Sequence, residues 1–269
     1  MTVLWIMLFI VFVYFNFRYA WWKPAIDFSR PRILMYHMIS TPISGAKFNG
    51  LRVSPENFEK QLSYLKKNGW QFIGMSEYTS HSIQKKQVAI TFDDGFEDNY
   101  LQAFPLLKKY QAKATLYLVV DRHDNDWSTK KKKHHNSGEL AQEPKLTDQQ
   151  VIEMVQSGIF ELGGHTMTHA NLNHLNMEQK TKEIMDSKKK LERLYHTHVI
   201  SFAYPFGIYQ QQDKTLVEEL GYLNAVTTLD GIGHQGQDYF ELPRVKISGK
   251  DNYLAFLIKM RIGKKGVNK

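Results

Sequence analysis

Short apolar runs that are typical of strands alternate with amphipathic helical patterns from Arg32 to about residue 250. Ser54 and Pro55, for example, begin a helix that Gly69 ends. The predicted strands are residues 33–36, 87–92, 114–120, 159–162, 199–204 and 222–228. Because strands that alternate with helices build parallel sheets, the sequence predicts an α/β fold with a mainly parallel sheet, either closed or open.

Composition restricts the chemistry that this fold can carry. The 269 residues include no cysteine, which excludes disulfide scaffolds, thiol nucleophiles and thiolate zinc sites. A metal site must therefore be built from aspartate, glutamate and the 11 histidines. The net charge of +8 suits nucleic acid, anionic lipid or an acidic glycan without choosing among them.

The amino-terminal residues 1–17 carry no charge and would span about 26 Å as a helix, at ~1.5 Å per residue. Tyr19, Trp21 and Trp22 follow, as expected at a membrane interface. No basic residue precedes the run and no small-residue cleavage site follows it, in contrast to a signal peptide. We expect an uncleaved anchor over residues 1–22; the alternative is a buried helix of a soluble domain.

Basic residues follow the anchor, in a linker over residues 23–31 and just beyond it. By the positive-inside tendency, they place the remaining chain in the cytoplasm, on a bacterial-type inner membrane. Residues 121–146 include a lysine run and predict an exposed loop or flexible insertion. Residues 251–269 predict a basic tail, which either rests on anionic lipid or is solvated.

Two adjacent carboxylates, Asp93 and Asp94, end an otherwise apolar strand in Thr91-Phe92-Asp93-Asp94-Gly95. Buried neighbouring carboxylates repel each other, so the pair needs a cation or a proton. In parallel sheets, functional residues gather at the carboxyl ends of strands. The pattern predicts a functional site; the alternative is a turn in which one aspartate caps the next helix.

His165 and His169 follow another short strand in Gly163-Gly164-His165-Thr166-Met167-Thr168-His169. Two histidines four residues apart can face the same way and bind one metal ion. An aspartate beside them would complete a three-ligand site with an open position for water, as in catalytic zinc sites. The alternative is a chance spacing in a chain rich in histidine.

A third strand is followed by Tyr204-Pro205-Phe206-Gly207. Such a turn can form the wall of a groove, and its backbone N–H can face a developing oxyanion. The alternative is a purely structural turn.

The three motifs, in this order, resemble those of the polysaccharide deacetylases (carbohydrate esterase family four, the NodB homology domain). The resemblance covers about residues 32–248, with Met35-Tyr36-His37 near its start and Leu242-Pro243-Arg244-Val245 near its end. It implies a distorted (β/α) barrel with about seven strands, which we assign to a domain of residues 32–250. It also implies divalent-metal hydrolysis of an N-acetyl group on an aminosugar.

The resemblance also implies a role for each matching position. Asp93 would be the general base, and the metal ligands would be Asp94, His165 and His169. The ion is expected to be Zn²⁺, with Ni²⁺ or Co²⁺ as alternatives. Substrate would contact Tyr204, Pro205 and Phe206, and a backbone N–H near Phe206 would hold the oxyanion.

Two departures from the family pattern leave roles open. Many members orient the base with an arginine where this sequence has Ala203; Arg244 is the substitute candidate, with a surface ion pair as its alternative role. The carboxyl-terminal Leu-x-His that supplies the general acid is not evident. His37 and His234 are the candidates for the acid, each with a structural alternative, and Asp230 is a further site residue or a turn residue.

The sequence therefore predicts a metal-dependent deacetylase of N-acetylhexosamine in a cell-surface glycan or its lipid-linked precursor. A cytoplasmic body favours a lipooligosaccharide-core intermediate, and an outward-facing body favours poly-N-acetylglucosamine or peptidoglycan. The alternative is a catalytically degenerate glycan-binding protein on the same fold. A specific nucleic-acid partner is not expected, because the basic residues are scattered.

Overall fold

Among the residues that the structure describes, eight parallel strands form one sheet, and seven of them close into a barrel. The computed structural model describes residues 2–78, 86–123 and 138–266. The strands are β1 Arg32–Tyr36, β2 Gln71–Ile73, β3 Gln87–Asp94, β4 Ala114–Leu118, β5 Phe160–Gly164, β6 Ser201–Ala203, β7 Asn224–Asp230 and β8 Leu242–Lys246. Their order is β1-β8-β7-β6-β5-β4-β3, and β3 pairs again with β1 to close the ring. The short β2 pairs with the first residues of β3. The predicted distorted (β/α) barrel is confirmed.

Helices surround the barrel, apart from the first, which contacts the body only at its end. They are α1 Thr2–Tyr19, α2 Pro55–Lys67, α3 Met75–Tyr78, α4 Phe104–Tyr110, α5 Glu139–Gln142, α6 Asp148–Gln156, α7 Met177–Thr181, α8 Ser187–Tyr195, α9 Gln211–Glu219 and α10 Tyr253–Ile262. A π-helical turn, Asn99–Ala103, begins the predicted helix 98–110. A second π-helical turn, Lys182–Asp186, joins α7 to α8 within the predicted helix 176–195.

Strand β3 shows how the fold places charge at one end of the barrel. Its side chains alternate, so Val88, Ile90 and Phe92 join the main core beneath the helices. The intervening residues point inward: Ala89 packs in the apolar interior with Ile33 and Tyr117, and Thr91 and Asp93 follow it along the strand. The interior therefore changes from apolar to charged towards the carboxyl ends of the strands.

The predicted basic tail is a packed helix over most of its length. Phe256 and Met260 of α10 are buried in the main core. Lys259 is also buried, and its ammonium donates to the Asp251 carboxylate (2.6 Å) and to the Lys246 carbonyl (2.5 Å). Since its charge is paired, Lys259 can lie on a buried face. The packed body thus continues past residue 250, to Ile262.

Helix α1 is exposed along nearly its whole length, and only its end contacts the body. It is long and apolar enough to be a membrane anchor or a signal sequence, with a mean hydropathy of 1.7. Tyr19 and Ala20 pack against α10. The linker that follows is held in place as well, because Arg32 donates to the carbonyls of Ile26 and Asp27.

The predicted loop 121–146 is described only in part, because residues 124–137 lie outside the described residues. Its second part is packed rather than exposed. Leu140 and Leu146 are buried, and the backbone N–H of Leu146 donates to the carbonyl of Gly95, next to the aspartate pair.

We expect Phe256→Ala to lower the free energy of unfolding by about 3–5 kcal/mol, because it removes a fully buried ring from the core. Urea unfolding of the detergent-solubilised chain, followed by tryptophan fluorescence, measures the change. Leu254→Ala, on the exposed side of the same helix, is the control and should cost less than about 1 kcal/mol. Equal stability of the two variants would show that α10 is not part of the core.

Candidate active site

The strands end around a cavity of about 300 Å³ at the carboxyl end of the barrel. Asp93 and Asp94 reach it from β3, His165 from the end of β5, and Phe206 from the turn after β6. His37, which follows β1, also lines it. The three sequence motifs, spread over residues 91–207 of the chain, therefore meet at one place.

Asp94, His165 and His169 converge within this cavity. The Oδ1 atom of Asp94 lies 3.4 Å from the Nε2 atom of each histidine. The two Nε2 atoms are 3.1 Å apart, and all three side chains are buried. A triangle of these dimensions fits a single ion about 2.0–2.1 Å from each corner, the usual bond length of Zn²⁺ to nitrogen and oxygen. The donor set therefore fits a divalent metal.

The orientation of His165 supports the same conclusion. Its Nδ1 atom lies 2.7 Å from the carbonyl oxygen of Ala203, which can only accept a hydrogen bond. The ring therefore carries its proton on Nδ1 and turns the lone pair of Nε2 towards Asp94 and His169. Metal-binding histidines in proteins are commonly held in this way.

Left-handed backbone conformations concentrate at this site. Asp94, Thr166, His169 and Phe206 have φ values of 80°, 66°, 55° and 59°. Such conformations cost on the order of 1–3 kcal/mol for residues other than glycine, and they cluster at functional sites. The packing around the cavity holds these residues in positions that their own preferences would not select.

Asp93 is held by Arg244, which is fully buried inside the barrel. Two hydrogen bonds join the guanidinium to the carboxylate, Nη1 to Oδ1 at 2.6 Å and Nη2 to Oδ2 at 2.7 Å. The same guanidinium donates to the Thr227 carbonyl through Nε and to the Thr91 hydroxyl through Nη1. The alternative role of Arg244, a surface ion pair, is thereby excluded.

The two aspartates remain ionised despite their burial. Burial raises the pKa of Asp93, but the charge and hydrogen bonds of Arg244 outweigh it, and the pKa lies below its usual value. Burial likewise opposes the charge of Asp94, and His169 and His165 in their protonated form hold its pKa well below the usual range. The site thus keeps two neighbouring carboxylates charged by giving each its own partner.

The structure brings His37 to the site but not His234. His37 is half-buried, and its Nε2 atom lies 3.9 Å from Oδ2 of Asp93. His234 is exposed, and its Nδ1 atom lies 2.9 Å from the carbonyl oxygen of Gln235. It lines a separate groove beside Tyr78 and the linker residue Asp27. The placement of His234 in the active site is therefore corrected.

The third motif forms one wall of the cavity. The ring of Phe206 lies 4.4 Å from that of His169, edge to face, and Tyr204 stacks on Tyr209 at 4.4 Å. Gly207 must be glycine: its φ is +66°, and a Cβ there would lie 2.0 Å from the Thr228 hydroxyl. Pro205 is buried and is not among the residues that line the cavity.

Asp230 lies at the end of β7, and its carboxylate accepts a hydrogen bond from the backbone N–H of Lys246. This bond joins the ends of β7 and β8, in agreement with the turn role. Lys246 lines the cavity, as do Phe48, Leu51 and Leu140 from two loops. Sequence reasoning missed these four, because which side chains line a cavity depends on the tertiary fold and leaves no local signal in the sequence.

Comparison with known proteins agrees with this geometry. Residues 81–225 match the sequence profile of a protein family described as "Polysaccharide deacetylase". The chain is 36% identical over 234 residues to YxkH of Bacillus subtilis, whose name describes it as an inferred polysaccharide deacetylase. That match covers 85% of this chain and 75% of the relative. A poly-β-1,6-N-acetyl-D-glucosamine N-deacetylase of Staphylococcus epidermidis is 24% identical over 219 residues, covering 77% of this chain and 72% of that protein.

The crystal structure of an inferred polysaccharide deacetylase from Bacillus anthracis superposes with a TM-score of 0.70 and 31% sequence identity. The superposition covers 83% of this chain and 66% of that one, so the chain spans just under two thirds of that structure. The profile match extends over more than half of the chain and includes both the aspartate pair and the two histidines. The chain therefore belongs to the polysaccharide deacetylase family.

Proposed function

We propose that this protein is a metal-dependent hydrolase that removes N-acetyl groups from N-acetylhexosamine residues of a cell-surface glycan. One observation carries the proposal: the Asp94, His165 and His169 donors converge beside an aspartate that Arg244 keeps ionised. An aspartate base next to a three-ligand site is an arrangement that can hydrolyse an amide.

Asp94, His165 and His169 would hold the ion, with Zn²⁺ the first candidate and Ni²⁺ or Co²⁺ as alternatives. When bound, a divalent ion there polarises the acetyl carbonyl and makes water a stronger nucleophile. Asp93 takes the proton of the attacking water. Its two oxygens both accept from Arg244, but each keeps a second lone pair for this transfer.

His37 is our candidate for the general acid. It lines the same cavity as Asp93, on the side of β1, and only 3.9 Å separates the two side chains. From there it can give a proton to the leaving amine, which must be protonated before the C–N bond breaks. We assign the oxyanion to the backbone N–H of Phe206, whose turn lies beside His169.

The positions of Arg244 and His37 weaken the alternative of a degenerate glycan-binding protein. That alternative arose because an arginine partner for the base and an acid were not evident in the sequence. Arg244 now supplies the first from β8, and His37 supplies the second from the end of β1. Both the base and its partners are therefore present around one cavity.

The substrate that we favour is a poly-N-acetylglucosamine-type glycan. The Staphylococcus epidermidis relative, a poly-β-1,6-N-acetyl-D-glucosamine N-deacetylase, supports this class. We further propose that α1 anchors the protein in a bacterial-type inner membrane. A cytoplasmic body, which the basic residues after α1 favour, would act on a lipid-linked precursor such as a lipooligosaccharide core, and an outward-facing body on the exported polymer.

We expect the Zn²⁺-loaded protein to release acetate from oligomers of β-1,6-linked N-acetylglucosamine, and chelation to abolish the release. Asp93→Asn should lower kcat by about 10²-fold or more, since it removes the base. Enzymatic determination of acetate measures both the effect of chelation and the loss of kcat in the variant. His234→Ala is the control and should retain full activity, because His234 lies in another groove. A folded, metal-loaded protein that releases no acetate from β-1,6- or β-1,4-linked oligomers would favour the glycan-binding alternative.

Metal binding can be tested without activity. Isothermal titration of the metal-free chain with Zn²⁺ should show one high-affinity site, which Asp94→Ala or His169→Ala weakens strongly. His234→Ala should again match the wild type. Unchanged affinity in the Asp94 variant would place the metal elsewhere.

The pH dependence of kcat/KM tests the Asp93–Arg244 pair. Arg244 lowers the pKa of Asp93, so Arg244→Met should raise that pKa and leave less ionised base in acid. The acid limb of the pH profile should therefore move to higher pH, with a lower plateau. An acid limb that stays in place while the plateau falls would indicate that Arg244 does not tune the base.

A further inference from the structure

A buried arginine that the proposed chemistry does not use lies near the cavity. Arg52 lies in the loop after β1, and its side chain is 1% exposed. It makes two parallel hydrogen bonds to Glu143, Nη2 to Oε1 at 2.5 Å and Nη1 to Oε2 at 3.1 Å. A third contact joins Nη2 to Oε1 of Glu139 at 3.5 Å. We call Arg52, Glu139 and Glu143 the Arg52 clamp.

The clamp fastens two loops to each other. Arg52 belongs to the loop after β1, and both glutamates belong to residues 138–146, which precede α6. Glu139 also accepts hydrogen bonds from the backbone N–H groups of Lys47 (2.9 Å) and Phe48 (3.2 Å). The glutamate segment is thus held to the first loop by side-chain and backbone contacts at once.

The same two loops build the apolar side of the cavity. Phe48 and Leu51 come from the first loop, and Leu140 comes from α5. The three pack together in one cluster with Phe206, whose ring contacts His169. The clamp therefore lies directly behind the wall that faces the metal ligands.

Leu140 depends on the clamp for its position. It lies between Glu139 and Glu143 on a helix of only four residues, which is too short to be stable alone. The ammonium of Lys145 donates to the carbonyls of Leu140 (2.7 Å) and Glu143 (2.5 Å), which ties the backbone of Leu140 to that of Glu143. The forked arginine contact is the charge-assisted attachment of this short helix to the first loop.

We propose that Arg52 is a positioning residue that sets the glycan groove. It holds Phe48, Leu51 and Leu140 as an apolar surface for the C–H face of a sugar unit next to the reacting N-acetylhexosamine. The proposal rests on the proposed function, since it names how that site distinguishes an oligomer from a single sugar. Arg52 itself contacts no substrate.

The experiment compares kcat and KM of the full-length detergent-solubilised protein on a single N-acetylglucosamine glycoside and on its β-1,6-linked tetramer. Glu143→Gln keeps the shape of the side chain but removes its charge, and Arg52→Lys keeps the charge but loses the fork. For both, KM for the tetramer should rise about tenfold with little change in kcat, while the single sugar should be unaffected. Glu178→Gln, in the exposed Lys182–Glu178 pair, is the matched control and should behave as the wild type.

A third variant covers the case in which breaking the clamp unfolds the chain. Leu140→Ala leaves the clamp intact and removes only the surface that it positions, so KM for the tetramer should rise here too. The proposal is overturned if KM for the tetramer is unchanged, or if kcat falls equally on both substrates, which would indicate general structural damage. If the wild-type protein shows no turnover, the proposed function is contradicted instead. Binding of the tetramer, measured by calorimetry, would then test the role of the clamp. Weaker binding in the same variants would support that role, and unchanged binding would overturn it.

Discussion

The arrangement of the active site depends on one buried ion pair, between Asp93 on β3 and Arg244 on β8. These two strands are not neighbours; β1 lies between them and closes the ring. The guanidinium therefore reaches its partner only when the barrel is complete. Because either charge would be buried without a partner inside the closed barrel, closure is favourable only when the pair forms. Barrel closure and the ionised base are thus two aspects of the same contact.

The same constraint explains how two carboxylates can lie side by side. Asp93 has the arginine, and Asp94 turns towards the two histidines through a left-handed backbone at φ 80°. Their charges are thereby directed to different partners. The strain of this backbone is compensated by the surrounding packing, in which Gly95 and Leu118 fit closely.

The sequence predicted the parts of the structure that follow from local rules. Strand and helix periodicity indicated the barrel strands, and the carboxyl ends of parallel strands had to bring Asp94 and His165 to the same edge. The choice between His37 and His234 could not be made in this way, because it depends on where the loop after β7 returns. Helix α10 was missed since a paired Lys259 can be buried, and pairing is a tertiary property. The Arg52 clamp joins residues 91 apart in the sequence, and no local pattern predicts such a contact.

The junction between α1 and the barrel has a mechanical consequence. Tyr19 and Ala20 pack on α10, Asn252 donates to the Tyr19 hydroxyl, and the backbone of Ile26 bonds to that of Arg261. A flexible tether would let the body rotate and sweep a large volume, whereas this joint transmits every tilt of the helix to the barrel. In a bilayer, the catalytic mouth would keep one height and one angle. With the anchor and substrate proposed above, the body could diffuse along the membrane but not away from it, and it would reach acetyl groups at one distance from the surface.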